Sequence, residues 1–190
     1  MENKSILKDK NMFGFWVYLM SDCVLFAGLF ATYAVLSSAV YGGPTIGQIV
    51  NLPFVLIETL VLLTSSFTIG LAVLAAQQHK KALTLVTLAA TLILGLAFLG
   101  MELSEFGRLV VAGQGPSQSA FLSAFFTLLG THGLHVFLGS VWMLVLMAHI
   151  SFKGLTQGST RKLLILSLFW HFLDIIWIFI FTFVYLFGAL

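Results

Sequence analysis

Five uninterrupted apolar runs, at about residues 13–41, 53–76, 83–106, 121–150 and 163–189, leave this chain few ways to fold. Each has at least the ~20 residues that a helix needs to cross a ~30 Å hydrocarbon core. They are unbroken, unlike the ~10-residue alternating segments of a membrane β-barrel, so helices are expected. Charge agrees. Only 8% of the residues are Asp, Glu, Lys or Arg, while 59% are hydrophobic. A soluble domain carries about 25% charged residues and needs them to cover its surface. The fold class expected is therefore an all-α integral membrane protein, a bundle of five transmembrane helices over residues 13–190 behind a short tail at 1–12.

Turn chemistry separates the spans. Tyr41-Gly42-Gly43-Pro44 closes the first, and Pro53 stands where a first helical turn tolerates proline. Gln77 to Lys81 forms a short second loop, Gly113-Gln114-Gly115-Pro116 lies in the third, and Lys153-Gly154 to Arg161-Lys162 makes the fourth. Eight of the nine Lys and Arg residues fall in the N-terminal tail, the second loop and the fourth loop, leaving Arg108 alone on the other side. By the positive-inside rule the N-terminus faces the cytoplasm and the C-terminus the periplasm. The first run is about twice a signal peptide's apolar core and contains Asp22, so it reads as a retained helix.

Composition also closes off several functions. A net charge of +2, scattered along the chain, does not make a nucleic-acid surface. One cysteine, Cys23, excludes an intrachain disulfide and a cysteine-built metal site. Gly-x-Ser-x-Gly, phosphate-cradling and His-Glu-x-x-His motifs are missing, and no repeat of about 20 to 50 residues is present.

The informative residues are the polar ones inside the apolar runs. An aspartate at a helix centre costs about 2.5–3.5 kcal/mol on insertion scales, so it is expected to face a partner or another helix. Asp22 and Asp174 lie deep, in the same band as His132, His135 and His171. These five are expected to form one buried cluster where spans one, four and five meet, with an aspartate hydrogen-bonded to a histidine. Zinc or non-haem iron could use such ligands, but helix histidines more often pack and hydrogen-bond, so no metal is assigned. Glu58, Glu102 and Glu105 belong to the outer side. Glu105 and Arg108, spaced i,i+3, read as an interfacial ion pair, while Glu58 and Glu102 stay open between structural and functional roles. Small residues Ala27, Gly28, Ala31, Gly130, Gly133 and Gly139 suit close helix contacts.

The blocks Leu19-Met20-Ser21-Asp22, Gly130-Thr131-His132-Gly133-Leu134-His135 and Trp170-His171-Phe172-Leu173-Asp174 resemble subunit III of the haem–copper oxidases. Leu52 to Thr59 and Gly100 to Phe106 resemble its ubiquinol-oxidising cytochrome bo branch, and the likeness runs in order from Phe13 to Leu190. The resemblance implies a non-catalytic subunit of a proton-pumping quinol oxidase in a bacterial inner membrane. It would pack chiefly beside subunit I, with subunits II and IV as further partners, and contact phospholipids. Haem b, haem o and copper are then expected in subunit I and none in this chain. Asp22 stands where many members of the family have a buried glutamate that reacts with a hydrophobic carbodiimide. The rival reading is a small transporter using Asp22 and Asp174 as a proton relay. It lacks the repeats and interrupted helices that transporters use.

Overall fold

The computed structural model describes residues 2–37 and 50–189, with the side chains of 2–11 and 189 left aside. Five helices in it are long and apolar enough to span a membrane. They are α1 (Glu2–Leu36), α2 (Leu52–Gln77), α3 (Lys81–Val111), α4 (Ala120–Lys153) and α5 (Gln157–Ile180). A π-helical segment, Phe181–Leu186, and one last turn, Phe187–Ala189, extend α5. All described regular structure is helical. The helices overrun the apolar runs: α1 is already helical at Glu2, α3 carries Arg108 within it, and α5 starts at Gln157. Hydropathy marks only the part that lipid surrounds, whereas a backbone continues hydrogen-bonding until a cap ends it. The Tyr41-Gly42-Gly43-Pro44 turn lies outside the described residues.

Caps explain the other boundaries. Pro53 sits in the first turn of α2, where its missing N–H costs nothing. The Ser119 hydroxyl accepts from the Leu122 amide at 3.1 Å, and the Thr156 hydroxyl from the Ser159 amide at 3.1 Å. Gly154 ends α4 with φ at 77°, a conformation that favours glycine. Lys81 Nζ donates to the Ser151 carbonyl at 2.9 Å, which ties the α2–α3 turn to the end of α4. The second and fourth loops therefore share one end of the bundle.

Helices α2, α3, α4 and α5 close a ring, each packing on the next and α5 returning to α2. Helix α1 stands outside it, against α4 and to a lesser extent α5, and is the least buried span. Lipid is as apolar as a leucine side chain, so hydrophobicity alone does not hold such a ring together. Shape and hydrogen bonds must. The indole of Trp170 lies between two glycines: a Cβ on Gly95 of α3 would stand 2.8 Å from its ring, and one on Gly139 of α4 3.2 Å. Gly133 is also a close-contact position, whereas Gly28 has open space around it. Gly95, the tightest glycine against an aromatic ring, carries no sequence signal that sets it apart from Gly100 or Gly107.

A ladder of polar bonds sets α5 against α2. Trp170 Nε1 donates to the Ser65 hydroxyl at 2.9 Å, and Trp177 Nε1 to the Thr59 hydroxyl at 3.0 Å. Next to the first of these bonds, Ser66 Oγ and His171 Nδ1 lie 2.6 Å apart. The Thr68 and Thr91 hydroxyls, 2.8 Å apart, join α2 to α3. In lipid such bonds add to packing because no water competes for the donors.

Candidate functional site

The five deep residues form two carboxyl–histidine pairs and a caged ring, not the single cluster expected. Asp22 Oδ2 on α1 lies 3.6 Å from His135 Nε2 on α4. Asp174 Oδ2 lies 3.7 Å from His171 Nδ1 one turn earlier on α5. Both distances are polar contacts beyond hydrogen-bond length. The rings make their short bonds elsewhere, His135 Nδ1 to the Thr131 carbonyl at 2.7 Å and His171 Nδ1 to Ser66. The two pairs lie on different interfaces because α5 meets α2 on the face that carries His171, while Asp22 meets His135 on α4 and Tyr18 on its own helix.

His132 belongs to neither pair. Its ring is fully buried, stacked on Trp177 at 5.3 Å and edge-on to Phe98 at 5.9 Å, with Phe26 at 6.4 Å. That cage tests whether this chain could hold a haem or copper. A haem iron or a copper binds an imidazole through a ring nitrogen, and both nitrogens of His132 are buried inside this cage. His135 Nδ1 meets the Thr131 carbonyl and its Nε2 faces Asp22, while His171 Nδ1 lies beside both Ser66 and Asp174. Among the described residues no group of three or more His, Cys, Asp or Glu is placed to hold a metal ion. The residues present do not fit either group.

The outer carboxyls converge more than their sequence positions suggest. Glu58 on α2 and Glu102 and Glu105 on α3 are all buried, and each lies within electrostatic reach of the others. Arg108 Nη2 lies 3.8 Å from Glu105 Oε1, so the expected i,i+3 pair is present. Only its arginine is at the surface: that side chain is 52% exposed, and the glutamate's 1%. Tyr185 closes the group by donating to Glu105 Oε2 at 3.1 Å. Among the described residues, both oxygens of Glu58 and Oε1 of Glu102 have no hydrogen-bonding partner. Such groups are costly in lipid and persist where something else meets them.

Sequence reasoning did not single out Tyr185. A π segment fits an extra residue into a turn and shifts the register of the residues beyond it, and Tyr185 lies inside this one. An ordinary helical projection would misplace it. Replacing Tyr185 with Phe keeps the ring but deprives Glu105 Oε2 of its buried donor. The variant should lose about 1–3 kcal/mol of stability, read as a lower unfolding temperature in detergent.

The family model described as cytochrome c oxidase subunit III matches residues 2–189. The cytochrome bo(3) ubiquinol oxidase subunit 3 of Pseudomonas aeruginosa is 58% identical over 179 residues, covering 94% of this chain and 86% of that protein. The protein of the same name from Buchnera aphidicola of Acyrthosiphon pisum is 46% identical over 185 residues, 97% of this chain and 90% of its own length. A probable quinol oxidase subunit 3 of Staphylococcus saprophyticus is 44% identical over 189 residues, 99% of this chain and 94% of its own.

Proposed function

This chain belongs to the cytochrome c oxidase subunit III family, and from that premise we propose that it is the non-catalytic subunit III of a proton-pumping haem–copper ubiquinol oxidase. The observation that carries the reading is 58% identity to a ubiquinol oxidase subunit 3 over 94% of the chain. The caged His132 supports the division of labour: haem b, haem o and copper reside in subunit I, and this chain supplies structure around it. Subunit I is its chief neighbour, with II and IV completing the complex. The site is the bacterial inner membrane, with the N-terminus cytoplasmic, the C-terminus periplasmic and residues 13–190 forming one membrane domain behind the tail at 1–12.

The work assigned to the subunit is to hold the assembly together, shape its phospholipid surroundings and sustain proton uptake by the catalytic subunit. Asp22–His135 and His171–Asp174 serve as contacts between helices or with lipid, not as a transport relay. The transporter reading loses ground because its two aspartates sit on different interfaces with no shared partner among the contacts described.

The test is a pull-down of the tagged chain in mild detergent, followed by a redox difference spectrum and subunit masses on the same sample. Haem b and haem o bands with larger subunits are expected, and they should vanish when the chain is stripped to itself. A colourless, partner-free homo-oligomer would overturn the assignment.

A further inference from the structure

Between α3 and α4 a groove of about 280 Å³ opens on the outer half of the bundle. Leu99, Leu103, Phe106, Leu134 and Phe137 give it apolar walls, and Gly130 and Gly133 line it without side chains. Leu103, Leu134 and Phe137 are exposed on the side that lipid would meet. One charged residue, Glu102, lies at its base. That residue is 2% exposed, and its Oε1 has no hydrogen-bonding partner among the described residues. A Cβ at Gly133 would come within 2.6 Å of its Oε2, so a glycine there is what lets the carboxyl lie against α4.

We propose that this groove binds the ring of a lipid-soluble quinol, with a ring hydroxyl donating to the Glu102 carboxyl on the side that lies against Gly133. A carboxyl oxygen accepts a hydrogen bond whether the group is ionised or neutral, so the site asks only for a donor. The walls ask for a flat apolar body, and the volume is close to the low end of the ~300–1,000 Å³ usual for small-molecule sites. A phospholipid could also offer a donor, from an ethanolamine or glycerol head. Depth decides between them. Arg108, half exposed, marks the outer rim, and Glu102 is six residues deeper, about 9 Å along the helix. A zwitterionic head would have to leave water to reach it, whereas a quinol head is neutral and dissolves in the hydrocarbon. The inference rests on the quinol-oxidase reading for its ligand, and adds to it a binding place on a subunit that carries no redox centre.

The experiment uses the whole purified oxidase, anaerobic in detergent, with a diazirine-tagged ubiquinol as photolabel and peptide mapping as readout. Label is expected in residues 99–106 or 130–137 of this chain and should be competed by untagged short-chain ubiquinol. Glu102→Gln keeps an accepting oxygen and should keep the label, while Glu102→Leu should weaken it about tenfold. Leu134→Trp, at an exposed position, fills the groove without touching the carboxyl and should also lose the label. Absence of label in those peptides, label unchanged in both Glu102→Leu and Leu134→Trp, or equal competition by phosphatidylethanolamine would overturn the proposal. Haem content and quinol oxidation by the same preparations report separately on membership of the oxidase, so a failure of the groove is distinguishable from a failure of that assignment.

Discussion

Trp177→Ala is expected to lower the stability of the detergent-solubilised protein by about 3 kcal/mol, the low end of the range for truncating a buried aromatic in a soluble core. The low end applies because lipid is itself apolar, so what is lost is contact and not transfer from water. Trp177 is 1% exposed and touches Phe98 at 4.6 Å and 87°, His132 at 5.3 Å and Tyr185 at 6.2 Å. Truncation removes all three ring contacts and the N–H bond to Thr59. It also uncovers His132, whose two nitrogens have no hydrogen-bonding partner among the described residues. Trp177→Phe keeps most of the ring and loses the N–H, so about 1 kcal/mol is expected. Trp16→Ala, at an exposed ring, should fall within about 0.5 kcal/mol of wild type. Thermal unfolding followed by near-ultraviolet circular dichroism ranks the three. Equal midpoints for Trp177→Ala and Trp16→Ala would mean that the indole is not wedged as described.

The second large effect belongs to a residue with no side chain. Gly95→Val should cost about 3 kcal/mol or more, because the added Cβ alone would sit 2.8 Å from Cζ2 and Cη2 of Trp170. The indole cannot move aside cheaply. Gly139 bounds it on the α4 side, and its N–H is bonded to Ser65. Gly133 makes a useful contrast, since the atom facing it is the end of the Glu102 side chain, which can swing away. Gly133→Ala should therefore cost less than Gly95→Ala. The decisive measurement is a double variant: Trp170→Phe shortens the ring and should partly restore Gly95→Ala, giving a non-additive pair. Strict additivity would refute a shared slot.

The five spans were legible because lipid imposes a length and a composition on each, and the loops because Gly, Pro and charge interrupt them. Packing partners were not. Asp22 and His135 stood out as polar residues inside apolar runs, yet nothing in a linear pattern says that α1 leans on α4 while His171 turns toward α2. Glu105 and Arg108 read as an interfacial pair from their spacing, but spacing gives no burial. It could not reveal Glu58 and Tyr185 arriving from two other helices. One signal was present and unread. Thr59 and Ser66, seven residues apart, lie on one stripe of α2, as do Trp170 and Trp177 on α5, and two such stripes on antiparallel helices are complementary.

The position of α1 outside the ring orders the events of synthesis. It is made first, and the helices it rests on, α4 and α5, are made last. Asp22 thus enters the bilayer well before His135 exists to meet it, and α1 must remain in the membrane on its own hydropathy meanwhile. The four later helices can close among themselves without it, so the first span to emerge is the last to be seated. Until then Tyr18, one turn earlier on the same helix, is the partner that Asp22 carries with it.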